Sequence, residues 1–148
     1  MKLEKIKEYL SKRIKLKKEK GIDLGCGTGI SILFLKKFCR EIYGVDLSRN
    51  MLKIASKKLK FKKILKSIEN LKIKEKFDII FCITVLQDNK YPEKLLKVIR
   101  KICKRNGIIV ISVTKNKGFL YWEKKVRKYL KVKKKIFDEK DFIFVCLK

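Results

Sequence analysis

Histidine is missing altogether from this chain. That absence removes the commonest metal ligand, the usual general base near neutral pH and every nucleophile–histidine dyad. Cysteine does not fill the gap. Cys26, Cys39, Cys82, Cys103 and Cys146 stand far apart with no C-x-x-C pair, so they predict no metal site and read mainly as small buried hydrophobes. Proline occurs once, at Pro92, and tryptophan once, at Trp122. No apolar run approaches the ~20 residues that span a bilayer. The opening MKLEKIKEYLSKR alternates charge with apolar residues and lacks the apolar centre of a secretory signal. The expectation is a cytoplasmic protein with no membrane partner. Acidic residues are scarce too, 15 against 42 basic ones, a formal net charge of +27. Such a field attracts polyanions, although it does not identify one.

What is present is enough for a globular domain. A hydrophobic fraction of 46% over 148 residues supports one core, and the chain reads as a single domain spanning 1–148, with an N-terminal helix in 1–19 and the core in 20–148. Periodicity alternates helices with short apolar strands. Leu3, Ile6, Leu10 and Ile14 share a helical face, which predicts a helix over 2–17. A strand over 20–24 enters a glycine-rich loop, followed by a helix over 28–39 whose Ile30, Leu33, Phe34 and Leu35 suggest burial.

A second strand is predicted over 41–46. Ser48 then caps a helix carrying Met51, Leu52, Ala55 and Leu59 on its inner side. Strands near 63–67 and over 77–82 come next. Pro92 suits the first turn of a helix burying Leu95, Val98, Ile99 and Ile102, with Gly107 as its C-terminal cap. A strand over 107–113, a helix bearing Phe119, Trp122, Val126, Tyr129 and Leu130, and a hairpin of 131–137 with 142–147 complete the pattern. This is an α/β fold: a doubly wound, Rossmann-like sheet of about seven strands, mostly parallel, with a C-terminal antiparallel hairpin and helices on both faces.

The most informative segment is GIDLGCGTG at 21–29, with Asp46 ending the next apolar run. Closely spaced glycines let backbone approach a ligand, and an acid at the end of the neighbouring strand suits a ribose diol. The glycines fall at 25, 27 and 29, so the pattern is neither the dinucleotide G-x-G-x-x-G nor a phosphate loop ending in Gly-Lys-Ser/Thr. Asp23-Leu24-Gly25-Cys26-Gly27-Thr28-Gly29 resembles the first motif of class I S-adenosylmethionine-dependent methyltransferases, in a minimal single-domain, type 11-like form. The resemblance runs from residue 20 to the end. It implies S-adenosyl-L-methionine as cofactor and a cofactor site comprising Asp23, Gly25, Cys26, Gly27, Gly29, Asp46, Leu47, Ser67, Ile68 and Cys82. Within that set the glycines lie against the methionine portion, Asp23 helps to hold the amino group and Asp46 grips the ribose. The family's adenine-binding aspartate is replaced by Ser67, which shifts that contact towards the main chain and Ile68.

The fourth-strand end, Cys82-Ile83-Thr84-Val85-Leu86-Gln87, bears on the acceptor. It has neither the (D/N)PP(Y/F) tetrapeptide of exocyclic-amine enzymes nor the Pro-Cys pair of cytosine carbon-5 enzymes. It is similar to enzymes with a Val-Leu-His-His stretch, with Gln87 and Asp88 at the histidine positions. Without imidazole, a general base is a carboxylate, a tyrosine, a lysine or unnecessary. Asp88, Tyr91 and Tyr121 are the catalytic candidates, although each residue also reads as surface or packing. The lysine runs at 12–20, 57–63, 101–105 and 131–135 map to the amino ends of strands, away from a ligand crevice. Lys2, Lys5, Lys7, Lys72, Lys74, Lys90, Lys115 and Lys117 fall on the crevice side. Charge puts RNA first as acceptor, with a partner subunit supplying recognition. A small-molecule acceptor and a non-catalytic, RNA-associated protein are the alternatives.

Overall fold

A computed structural model describes all 148 residues. Its seven strands form one sheet in the order β3-β2-β1-β4-β5-β7-β6. In chain order the regular elements are α1 (Lys2–Ser11), β1 (Lys18–Leu24), α2 (Ile30–Leu35), β2 (Cys39–Asp46), α3 (Arg49–Lys58), β3 (Lys62–Leu65), β4 (Phe77–Ile83), α4 (Pro92–Ile102), β5 (Cys103–Thr114), α5 (Phe119–Arg127), β6 (Lys131–Phe137) and β7 (Asp141–Leu147). β1 pairs in parallel with both β2 and β4. β7 runs antiparallel between β5 and β6. The chain winds outward from β1 through β2 to β3, then returns to place β4 on the other side of β1. The switch point of the doubly wound sheet is therefore between β1 and β4.

Period-2 alternation along the strands divides the core into two layers. Ile80 and Cys82 of β4, Ile109, Ile111 and Val113 of β5, and Phe142, Phe144 and Cys146 of β7 join Leu95 and Ile99 of α4 and Trp122 and Val126 of α5. Ile79, Phe81, Val110 and Ile143 face the opposite way, against Leu3, Ile6 and Leu10 of α1, Ile32 and Leu35 of α2 and Leu52 of α3. Each fully buried aliphatic side chain contributes about 1.5–3 kcal/mol relative to exposure. A register shift between Phe77 and Ile79 interrupts the β4–β5 ladder. There the Asp78 carboxylate accepts from the Lys20 amide at 2.9 Å and from Lys104 Nζ at 3.0 Å, all at the amino end of the sheet.

Several predicted boundaries move. The first helix ends at Ser11, not 17, because the lysine-rich stretch beyond it supplies only Ile14 to the core and Lys18 already donates to the Phe38 carbonyl. The second helix is only six residues long, since i→i+3 bonds from Lys37 and Phe38 tighten its last turn and deliver Phe38 and Cys39 to the interior. So short a helix buries one stripe, Ile32 and Leu35, and leaves Ile30 and Leu33 exposed. On α3, Leu52 and Ala55 face inward, Met51 is 39% exposed and Leu59 lies just beyond the last turn.

Gly107 is not a helix cap. α4 passes directly into β5 at Cys103, and a Cβ on Gly107 would lie 2.6 Å from Cys103 Sγ and 2.9 Å from the Phe77 carbonyl. Ser48 does cap α3, accepting from the Met51 amide at 3.2 Å, and Pro92 occupies the first turn of α4. No helix is long and apolar enough to cross a membrane.

Candidate functional site

The carboxyl ends of β1, β2 and β4 surround a cavity of about 300 Å³, lined by Gly25, Asp46, Leu47, Ile68, Thr84 and Asp88 together with Lys66, Glu69, Val85 and Asn89. Its size is at the small end of the roughly 300–1,000 Å³ typical of ligand pockets. Its position is the switch-point crevice, where an open α/β sheet has room for a ligand because successive connections leave on opposite faces.

Of the glycine loop, Gly25 lines this cavity, while Cys26, Gly27 and Gly29 of the expected cofactor site lie outside its lining. Gly25, Gly27 and Gly29 adopt φ values of 77°, 52° and 91°, the left-handed region that residues with a Cβ resist. The Gly25 and Cys26 amides both donate to the Val45 carbonyl, at 2.7 and 2.9 Å, binding the loop to the end of β2. Asp46 completes the brace: Oδ2 accepts from the Gly27 amide and Oδ1 from the Ser48 amide, each at 2.9 Å. A Cβ on Gly25 would fall 2.5 Å from Val85 Cγ2, whereas one on Gly27 would meet nothing within 4 Å. Gly25 is thus required by packing, while Gly27 presents bare backbone to open space.

Asp23, two residues before Gly25 on β1, is fully buried and accepts from the Ser31 hydroxyl through Oδ2. Its Oδ1 has no partner in the protein. Desolvation pushes its carboxyl up to about 7, opposed by the Ser31 bond and assisted by the Asp46 charge. An orphaned buried carboxylate oxygen two residues before a glycine loop suits a ligand that brings a cationic donor. Cys26 is also buried, its thiol pushed up to about 12 by desolvation and by the Asp23 and Asp46 charges, so it is an inert hydrophobe.

The predicted site residues therefore separate. Gly25, Asp46, Leu47, Ile68 and Asp88 line the cavity. Asp23 and Cys82 are buried, and Cys82, on the inward phase of β4, has a thiol raised by burial. Ser67 turns away to accept from Asn70 Nδ2 at 2.9 Å. Tyr91 is half exposed outside the cavity, and Tyr121 packs edge-on against the buried Trp122 at 5.0 Å. Sequence reasoning missed Glu69 and Thr84. Glu69 is one residue beyond the Ile68 contact, and its acidic side chain was a usable signal. Thr84 has a φ of 58°, unusual for a β-branched residue, and nothing in the sequence announces it.

Comparison with known proteins agrees with this architecture. The methyltransferase domain family matches residues 22–111, and the chain belongs to that family. An uncharacterized protein of Methanocaldococcus jannaschii is 38% identical over 112 residues, covering 73% of this chain and 52% of its own length. A ubiquinone biosynthesis O-methyltransferase of Coxiella burnetii is 30% identical over 122 residues, covering 77% and 52%. The chain thus spans about half the length of these relatives. Among solved structures, an S-adenosylmethionine-dependent methyltransferase from Clostridium acetobutylicum superposes with a TM-score of 0.82 at 16% identity, over 98% of this chain and 91% of that one. The N-methyltransferase NodS from Bradyrhizobium japonicum, in complex with S-adenosyl-L-homocysteine, gives 0.81 at 15% identity, over 98% and 87%.

Proposed function

We propose that this chain is an S-adenosylmethionine-dependent methyltransferase domain whose acceptor is a small molecule, neutral or cationic. The observation that carries the acceptor class is the charge of the cleft. In a chain with a net charge of +27, the cavity is lined by Asp46, Glu69 and Asp88 against Lys66 alone. A polyanion would be repelled from those carboxylates at close range, whereas a cationic sulfonium donor and a small acceptor would not.

S-adenosylmethionine, when bound, supplies an electrophilic methyl group on sulfur. The chain's own work is positioning and exclusion of water, which is where a displacement of this kind gains most. Asp46 retains lone pairs beyond those used by the Gly27 and Ser48 amides, enough to accept from a ribose diol. Gly27 leaves room for close backbone approach, Ile68 offers an apolar face for the adenine and Asp23 Oδ1 is free to accept from an ammonium.

The test is twofold. Calorimetric titration with S-adenosyl-L-homocysteine is expected to show one site, and its absence at millimolar ligand would favour the non-catalytic alternative. Incubation with methyl-tritiated donor, followed by separation of polymer from small molecules, is expected to place label in the small-molecule fraction; label confined to RNA would overturn the acceptor class.

The RNA reading retains one observation of its own. β6 is an edge strand carrying Lys131, Lys133, Lys134 and Lys135, flanked by Arg127, Lys12 and Arg13. Lysines on an edge also serve simply to prevent strand-to-strand aggregation, so this surface does not outweigh the acidic cleft.

A further inference from the structure

Next to the cleft, on the β5 side, the Lys2 ammonium meets Thr84 and Asp141, and Ser112 stands behind Thr84. Lys2, in the first turn of α1, donates to the Thr84 hydroxyl and lies 2.5 Å from Asp141 Oδ2. Thr84 also lines the cofactor cavity. Its amide donates to the Ser112 hydroxyl at 3.0 Å, and the two hydroxyl oxygens are 3.3 Å apart. Asp141 begins β7 opposite Thr114 at the end of β5, so its carboxyl stands at the crevice end of the sheet. The Asp141 residue is 2% exposed, and its second oxygen, Oδ1, has no partner.

A simple structural tie accounts poorly for this arrangement. α1 is already held by the burial of Leu3, Ile6 and Leu10 and by Lys5, which reaches Asp138 and the Phe137 carbonyl at 3.0 Å each. A buried ion pair satisfied on only one carboxylate oxygen adds little stability, since desolvation consumes most of the attraction. What the cluster does provide is recognition: a buried carboxylate and one hydroxyl meet a primary amine, with Ser112 holding that hydroxyl from behind, beside the cavity that Thr84 lines.

We propose that Asp141 and Thr84, the latter held by Ser112, form the subsite for the amine of the methyl acceptor, and that Lys2 fills it as an internal stand-in while the acceptor is away. The acceptor class is then a small aliphatic amine, which sheds one ammonium proton to solvent so that its freed lone pair forms the N–C bond as the donor's methyl–sulfur bond breaks and S-adenosyl-L-homocysteine leaves with the sulfur's electron pair. This assignment rests on the methyltransferase reading above. It also gives α1 a gating role, because Lys2 is the only part of the subsite not built on the sheet or its strand ends. With its side chain 25% exposed on a helix held in place, the lysine gives up the subsite by rotating its own side chain outward, and a free amine competes with that side chain alone.

The test is chemical rescue. Lys2→Ala is expected to lower the unfolding midpoint, and butylammonium chloride, compared with equal sodium chloride, is expected to restore most of the loss. Tetramethylammonium, which has no N–H to donate, is expected not to restore it. In Lys2→Ala/Asp141→Asn, butylammonium is expected to have no effect. Should Lys2→Ala fail to fold, Lys2→Met keeps the apolar stem, and chemical shifts of the Thr84 and Ser112 amides report the amine directly.

No amine response in the single variant, or an equal response to tetramethylammonium, would overturn the subsite. Mass spectrometry of the rescuing amine after incubation with S-adenosylmethionine is expected to show one added methyl. Rescue without that product would reduce the cluster to a structural tie and overturn the acceptor assignment. S-adenosyl-L-homocysteine binding by calorimetry separates the two readings. Binding retained without amine rescue removes only the subsite, whereas binding lost in the unmodified chain removes the methyltransferase reading itself.

Discussion

Asp46 Oδ2 accepts the Gly27 amide at 2.9 Å, joining the acid at the end of β2 to the middle of the glycine loop at the end of β1. One residue thus braces the cradle and faces the cavity. Asp46→Ala removes the brace together with the diol acceptor proposed above. The expected result is a tenfold to hundredfold rise in the dissociation constant for S-adenosyl-L-homocysteine, about 1.4–2.8 kcal/mol. Calorimetry measures it directly. Asp46→Asn, which keeps one oxygen acceptor, is expected to fall between alanine and the unmodified chain. An unchanged constant in both variants would remove Asp46 from the donor site.

Gly25 and Gly27 have the same residue type and similar left-handed φ values, yet their substitutions should fail differently. Alanine at 25 adds to the strain of its left-handed backbone a methyl 2.5 Å from Val85 Cγ2, so the extra cost appears in folding, typically about 1–3 kcal/mol for overpacking of this kind. Alanine at 27 meets nothing, and its cost to the fold is backbone strain alone, roughly 1–2 kcal/mol. Its methyl nevertheless enters space needed for close approach of a ligand, so donor affinity should fall by about tenfold or more. Thermal melts and calorimetry on both variants separate the two effects. Gly25→Ala combined with Val85→Ala should recover part of the lost stability, because the clash is with a side chain rather than backbone.

The sheet, its direction changes and four residues that line the cavity, Gly25, Asp46, Leu47 and Ile68, were legible because they depend on local signals. Glycine spacing, the terminal acid of β2, the Ser48 cap and the alternation of apolar residues each act within a few positions. What escaped depends on distant contacts. The Lys2–Thr84 and Lys2–Asp141 contacts join residues far apart in the chain, and Thr84's backbone conformation has no sequence mark.

Gly107 shows the same limit. Following an apolar helix, it satisfied every local rule for a cap, yet its neighbours are Cys103 and the Phe77 carbonyl across the β4–β5 ladder. Gly107→Ala is therefore expected to lower the unfolding midpoint by forcing those strands apart. Cys103→Ala should not rescue it fully, since the remaining close contact is with backbone. A midpoint equal to that of the unmodified chain would contradict this packing account.

Asp23 offers a pH-dependent test that separates its structural cost from its binding role. The fully buried carboxyl is pushed up to about 7, while the unfolded chain titrates near the ordinary value of 3.8. Between those values the folded protein holds a proton that the unfolded chain has released, so this residue's contribution to stability declines as pH rises. Above about 7 both states are ionised and the full penalty, on the order of 4 kcal/mol, remains. Asp23→Asn keeps an oxygen to accept from Ser31 and cannot ionise. It is expected to flatten this part of the stability profile and to unfold at higher temperature than the unmodified chain near pH 8. Donor binding should move the other way. If the ionised Oδ1 accepts the donor's ammonium, S-adenosyl-L-homocysteine should bind the unmodified chain more tightly as pH rises from about 6 to 8, and Asn should abolish that trend. Melts and calorimetry across the same pH range read both effects. A stability profile unchanged by Asn would show that Asp23 is not the titrating group, and a persistent binding trend in the variant would assign the amino-group contact elsewhere.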